Sequence, residues 1–430
     1  MKPSYLPRKL FLIVLLLASF SAFAQNPTPV IEVNNPPNTT AQLDKHYVVL
    51  VSLDGFRFDY PQKYSAPHLL AIGAKGASAP NGMLPSFPSL TFPNHYTIIT
   101  GLYPEHHGIV GNEFWDPVRN ETYFYTDSKK NSDGTWYGGT PLWVLAEQQG
   151  MRSACFFWPA SEAEIQGKRP SYYLHFDKTL NDNKRIDQVI VWLKLPPAQR
   201  PHFITLYYSD VDHAGHDFGP ASDEVKTAVH HVDDLIGELE TKLAALNLPI
   251  DLVVVADHGM AALQGDWVNL DQYADLGHFH TEGVLLYPKT DADAAKAYGQ
   301  LATAVNSRKA TTFKVYRRAD VPAYLHFNSN PREGDPVIVP TGPFSIRAHP
   351  NPEHPQELRP RTVGNHGYDP YAMPQMRAIF FAEGPDIKPG VKLNPFENVN
   401  IYPLLAHILG LTPPPVDGKL EVLAPILATP

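Results

Sequence analysis

Asp54, Asp212, His216, Asp257, His258 and His366 are the side chains of this 430-residue chain whose types best suit metal chemistry. Carboxylates and neutral imidazoles together are zinc ligands, and zinc takes three or four such groups. Six of them can hold two ions, the arrangement that clamps the attacking and departing oxygens of phosphoryl transfer. Taken singly, each has an ordinary explanation. An Asp after a strand caps a turn or a helix, and Asp212-x-x-x-His216 also fits a surface turn before a helix. The segment Gly364-Asn-His366-Gly-Tyr368 is more specific, because two glycines around a histidine let backbone pack close to a site. Taken together, the set predicts a metal centre with two zinc ions. The same ligands also suit manganese or iron.

Thr91 is the candidate nucleophile. It precedes Pro93, and proline is tolerated in the first turn of a helix. Thr91 is therefore expected at a helix N-terminus, where free N–H groups and the helix dipole favour an anion. Its bland alternative is a helix cap. A threonine hydroxyl is a weak nucleophile at neutral pH, and metal coordination is one way to activate it.

Three apolar, β-branched runs place the acidic residues. His46 to Leu53 ends at Asp54, His202 to Tyr208 leads to Asp212, and Asp251 to Ala256 ends at Asp257. Continuous Val/Ile/Leu runs predict strands buried on both faces, hence an α/β fold with a mostly parallel central sheet and helices on both faces. Helical spacing over 223–246 completes a strand–helix–strand unit. In open α/β sheets ligands bind beyond the carboxyl ends of the strands, where all three Asp fall. Residues 116–201, rich in aromatics and turns, are expected as a cap-like insertion. Residues 284–346 are expected as a small α/β insertion, with strands at 312–318 and 323–327. The sheet should resume at 376–382, followed by a helix at 400–409.

Lys2, Arg8 and Lys9, an apolar run to Ala18 and Ala22-Phe-Ala24 form a signal-peptide pattern. Residues 1–24 are expected to be removed, 25–45 to form a flexible leader and 46–430 to form the catalytic domain. The setting is then periplasmic or secreted, without a stable membrane anchor. The formal net charge is −9, and it becomes more negative without the basic N-terminus. Such a surface does not suit nucleic-acid duplexes, whose binding needs many basic contacts. The lone Cys155 leaves no internal disulfide.

Six motifs carry a resemblance: Val51-Ser-Leu-Asp-Gly-Phe-Arg57, Leu90-Thr-Phe-Pro-Asn-His-Tyr96, Gly101-Leu-Tyr-Pro-Glu-His-His-Gly-Ile109, Asp212-His-Ala-Gly-His216, Ala256-Asp-His-Gly-Met260 and Gly364-Asn-His-Gly-Tyr368. In these the chain resembles the nucleotide pyrophosphatase/phosphodiesterase family of the alkaline phosphatase superfamily. It looks like a bacterial member carrying only the catalytic domain. The resemblance implies an alkaline-phosphatase-like fold and hydrolysis of nucleotide phosphodiester and pyrophosphate bonds through a phosphothreonine intermediate. It implies one zinc on Asp212, His216 and His366, and another on Asp54, Asp257 and His258 with the Thr91 oxygen. Asn112 matches the asparagine that hydrogen-bonds a phosphate oxygen; by sequence alone it is a turn residue. Phe92, Tyr173 and Tyr207 match aromatics that flank the base, against a plain reading as core. Val211 stands where the family usually has proline, which leaves the ligand in place.

Other readings are weaker. A sulfatase needs a convertible Cys or Ser and an Arg, both missing around Thr91. A phosphomonoesterase commonly uses an Arg that is likewise missing beside Thr91. A phospholipid or choline-phosphate diesterase would use the same aromatic faces. A periplasmic zinc-binding protein would need no aligned nucleophile.

Overall fold

The computed structural model describes residues 28–354 and 356–428. The expected signal peptide lies outside them. A nine-stranded sheet organises the chain. In chain order its strands are β1 (Ile31–Glu32), β2 (Tyr47–Leu53), β3 (Ala77–Ser78), β4 (Ser153–Phe156), β5 (Tyr172–Tyr173), β6 (Phe203–Tyr208), β7 (Ile250–Val255), β8 (Phe380–Glu383) and β9 (Val391–Lys392). The spatial order is β1-β5-β4-β6-β2-β7-β8-β3-β9. From β5 through β7 every pairing is parallel, while β1 and β8 run antiparallel to their neighbours.

The central strands behave as their composition requires. Every residue of β2 and β6 is buried, so both faces of the sheet are covered. The helices that matter here are α1 (Pro67–Lys75), α2 (Thr91–Thr100), α3 (Asp182–Leu193), α4 (Asp210–Phe218), α5 (Asp223–Ala244), α6 (Asp291–Asn306) and α7 (Ile401–Ile408). The long α5 starts at Ser222, whose hydroxyl accepts from the Val225 N–H, and Asp223 and Glu224 sit at its positive end. Val225, Val229, Val232, Ile236, Leu239 and Leu243 form its buried stripe, and it packs against α1 and α3. A second pair, α2 and α7, packs together elsewhere on the core.

Three expectations need correction. The leader is not flexible over its described part, residues 28–45. Ile31 pairs with Tyr173, and Asn38 donates to the Pro197 and Arg200 carbonyls at 2.8 and 2.7 Å. Its amide oxygen also accepts from the Arg152 N–H at 2.7 Å. Polar contacts to loop backbone tie this segment down, and no apolar periodicity announces such contacts.

Residues 116–201 are not simply a cap. β4 and β5 are strands of the main sheet, and α3 packs on α5. The aromatic run Phe156-Phe157-Trp158 is buried core, not a lid surface. Cys155 sits inside β4, between β5 and β6, fully buried with its thiol pushed well above the usual range by that burial.

The small α/β insertion has its own core, with Leu270, Leu286, Ala297, Leu301, Phe313 and Ile338 around α6. Its core begins before residue 284, and the expected strand at 323–327 is instead a 3₁₀ turn, Ala323–Leu325, followed by irregular chain. The partner of Phe313–Tyr316 is Val337–Pro340. Pro322 and the left-handed His326 (φ 48°) bound that turn and prevent an extended run.

Candidate active site

The six expected ligands converge at the carboxyl ends of β2, β6 and β7. Asp54 follows β2, Asp257 and His258 follow β7, and Asp212 and His216 share one face of α4 at a four-residue spacing. His366 arrives from the loop after the short strand Gly364–Asn365, which pairs with Ala261–Ala262 behind β7. Gly55 lets the Asp54 turn pass close to α4. Its φ is +67° and a Cβ there would stand 2.8 Å from Asp212 Cα, so a side chain is excluded twice over.

All three imidazoles are oriented alike. Nδ1 of His216 meets the Gly364 carbonyl, that of His258 the Gly259 carbonyl and that of His366 the Ser89 carbonyl, each at 2.9 Å. A carbonyl only accepts, so the proton belongs on Nδ1 and Nε2 offers a lone pair inward. His216 Nε2 and His366 Nε2 then face each other at 3.1 Å with no proton between them. Asp212 Oδ1 lies 3.5 and 3.6 Å from these two nitrogens. Likewise His258 Nε2 lies 3.5 Å from Asp54 Oδ1 and 3.0 Å from Asp257 Oδ2. The two triads share a wall, since the His258 and His366 rings stack at 3.5 Å.

The donor set fits cations. Asp54 Oδ1, Asp212 Oδ1 and Asp257 Oδ2 are buried and have no hydrogen-bond partner. These are the same oxygens that face the imidazoles. A buried carboxylate oxygen without a partner is costly unless a positive charge meets it. Burial, then Asp257 and Asp212, push the Asp54 carboxyl well above its ordinary range. Burial, then His258 and His216, hold His366 well below its own, so its lone pair is available.

A different grouping of the same atoms joins Asp212 with His258 and His366, and Asp54 with His95 and Asp257, each set within 4.8 Å. His95 is better explained as a support. Its Nδ1 is 2.9 Å from the Thr91 carbonyl and its Nε2 is 2.8 Å from Ser52 Oγ, so both nitrogens are engaged. It also lies 3.4 Å from Asp257 Oδ2. Sequence reasoning gave His95 no role, although its position four residues after Thr91 puts both on one helix face.

Thr91 is the first residue of α2, with Leu90 at the cap position and no side-chain cap present. The capping explanation of Thr91 therefore fails. Its Oγ1 stands 3.3 Å from His258 Nε2, at the edge of the second triad. Pro93 occupies the third helical position, within the first turn. Asn112 Oδ1 accepts from the Phe92 N–H at 2.9 Å. That contact fixes the amide: the oxygen faces Phe92, and the NH₂ group remains to donate to something else.

The aromatic expectations divide. Phe92 lies at the site, its ring 5.3 Å from the half-open Tyr125. Tyr207 is at the site but does not offer a free stacking face. Its hydroxyl donates to Asp54 Oδ2 at 2.6 Å, and its buried ring stands edge-on to His95. Tyr173 is held on β5, buried, with His175 as its ring neighbour. The more exposed aromatics at this edge are Tyr125 and Phe176, the latter 6.3 Å from Tyr207. Sequence reasoning missed both, because an aromatic near a sheet end carries no mark of its exposure.

Among the described residues no helix is long and apolar enough to cross a membrane.

Comparison with known proteins agrees with this geometry. Residues 48–369 match the family described as type I phosphodiesterase / nucleotide pyrophosphatase. An uncharacterized pyrophosphatase/phosphodiesterase of Schizosaccharomyces pombe is 38% identical over 400 residues, covering 88% of this chain and 80% of that protein. Human ectonucleotide pyrophosphatase/phosphodiesterase family member 1 is 35% identical over 412 residues, which is 92% of this chain but 43% of the human protein. The chain thus spans less than half of that relative. Murine ectonucleotide pyrophosphatase/phosphodiesterase 5, solved as an inactive form in complex with AMP, superposes with a TM-score of 0.81 at 29% identity. That likeness covers 89% of this chain and all of the murine one. These relatives are eukaryotic and do not bear out the expected bacterial source. The chain belongs to the type I phosphodiesterase/nucleotide pyrophosphatase family, and it is a nucleotide pyrophosphatase/phosphodiesterase with an alkaline-phosphatase-like α/β fold.

Proposed function

We propose that the enzyme hydrolyses nucleotide phosphodiester and pyrophosphate bonds through a covalent nucleotidyl-Thr91 intermediate, with Asp212, His216 and His366 holding one zinc and Asp54, Asp257 and His258 another. The observation that carries this is the position of Thr91 Oγ1, 3.3 Å from His258 Nε2 at a helix start. When bound, the two ions would supply positive charge for the phosphoryl oxygens and lower the pKa of hydroxyl and water. The protein does the rest by position. The α2 N-terminus offers its dipole to the anion, and the Asn112 NH₂ group donates to a nonbridging oxygen as charge develops there. Phe92 and Tyr125 offer faces to a nucleobase. No Lys or Arg is needed in this account.

With ATP, Thr91 Oγ attacks the α-phosphorus and the bond to the β-bridging oxygen breaks. Pyrophosphate leaves with the electron pair and AMP stays esterified to Thr91. Water then attacks the same phosphorus and the bond to Thr91 breaks, which restores the hydroxyl. Hydrolysis in ¹⁸O-labelled water tests the scheme, with the label expected in AMP and none in pyrophosphate. Two in-line displacements should also retain configuration at a chiral α-phosphorus. Inversion would remove Thr91 as the nucleophile, whereas label in pyrophosphate, or ADP and phosphate as products, would show that ATP binds in another register. The basic and apolar N-terminus supports work outside the cytoplasm, in a periplasm or secreted.

A further inference from the structure

A cavity of about 260 Å³ opens beside the centre, between the main body and the small insertion. Leu90, Asn112, His366 and Gly367 line its catalytic side, while Val284 and Ile338 belong to the insertion side. Phe92 and Tyr125 are not among its walls. Asn112 divides the two regions, since its carbonyl oxygen is tied to the Phe92 N–H and its residue also lines the cavity. A phosphodiester has two ester substituents. If one lies on Phe92 and Tyr125, the other extends past Asn112 into this space.

The cavity's charge is one-sided. Glu113, Glu282 and Glu333 line it, and no Lys or Arg does among the described residues. Glu113 rises to about 7 through burial and the neighbouring Glu282. Thr122 and His280 hydrogen-bond Glu282 from behind, each at 2.8 Å. Glu333 is wholly buried, and neither of its oxygens has a hydrogen-bond partner. Burial, then Glu105, push it up to about 8, so it stands protonated at pH 7. Pyrophosphate finds no Lys or Arg among the residues lining this pocket and meets the acidic side chains Glu113 and Glu282, whereas a neutral ring meets apolar walls.

We propose that this cavity is a leaving-group subsite that takes a ring-sized, apolar alcohol without negative charge. It favours diesters with such a leaving group over nucleoside triphosphates. The proposal rests on the Thr91 reading above, and the test separates the two. Release of TMP is measured from thymidine 5′-(p-nitrophenyl phosphate) and from TTP, which share one nucleoside end. Val284→Trp fills the cavity and should lower kcat/KM for the aryl ester by about tenfold, the scale expected for a lost apolar contact, and lower it less for TTP, whose pyrophosphate makes no apolar contact there. The double variant Glu113→Gln with Glu282→Gln keeps shape and removes charge. It should raise kcat/KM for TTP relative to the aryl ester by about threefold or more. An unchanged ratio between the two substrates in both variants overturns the subsite. Absence of TMP from both substrates with the wild-type enzyme overturns the Thr91 reading instead.

Discussion

Tyr207 on β6 reaches Asp54, the residue just past the end of the adjacent parallel strand β2, and its hydroxyl donates to Asp54 Oδ2 at 2.6 Å. The other oxygen, Oδ1, is thereby turned toward His258 and left without a partner. Tyr207→Phe should keep the fold, since only a hydroxyl is lost. Zinc affinity should fall by about 10–100-fold, the usual cost of losing a ligand's supporting hydrogen bond. A competition titration against a zinc chelator measures it. Wild-type affinity in the variant would mean that Asp54 needs no such orientation.

Thr91→Ala should reduce turnover by ~10⁴-fold or more, as removal of a nucleophile commonly does. Folding and metal content should be retained, because Thr91 caps nothing. Thr91→Ser keeps the hydroxyl and should retain part of the rate. Steady-state turnover of ATP distinguishes these outcomes, and a wild-type rate in Thr91→Ala would exclude covalent catalysis by this residue.

Asn112→Ala should cost ~10²–10³-fold in kcat, the range for one lost oxyanion donor. Asn112→Asp is the sharper test. It can still accept from the Phe92 N–H but cannot donate from that amide position, so it should be at least as slow as the Ala variant. Should the Asp variant match wild type, the contact to Phe92 is all that Asn112 provides.

Two bound ions per chain are expected in purified protein by elemental analysis. Chelation should abolish turnover and added zinc should restore it. Full activity in protein shown to hold no metal would contradict the ligand assignment.

Asp251, away from the site at the start of β7, gives a prediction about pH. It is wholly buried, and burial followed by Asp386 raises its pKa from 3.8 to about 8. Below about pH 4 the folded and unfolded chains are both protonated there. As pH rises toward 8 the unfolded chain loses this proton first, so the folded state loses stability over that window. Asp251→Asn should therefore raise the melting temperature by about 2–4 °C or more at pH 8 and do less at pH 5. Equal shifts at both pH values in thermal melts would show that the carboxyl does not titrate this way.

Much of the site was legible because its ligands interrupt strong patterns. Asp54 and Asp257 end unbroken Val/Ile/Leu runs, and His366 sits between glycines. The supports were not legible. Tyr207 pairs with Ser52 across two strands, so its reach to Asp54 appears only once the sheet register is known. β4 and β5 span four and two residues, too short for a periodic signal, and their aromatic surroundings resemble a cap. The leader is held by amide side chains reaching loop carbonyls, contacts between segments more than a hundred residues apart.

Cys155 offers a use that follows from where β4 lies. A thiol reacts as its thiolate and only where reagent can reach it, and this one is enclosed on both sides by neighbouring strands. Local fraying at loops or ends does not uncover it; separating the sheet does. The chain thus carries one built-in chemical counter, and the labelling rate of native protein by a thiol reagent reports how often the whole molecule opens.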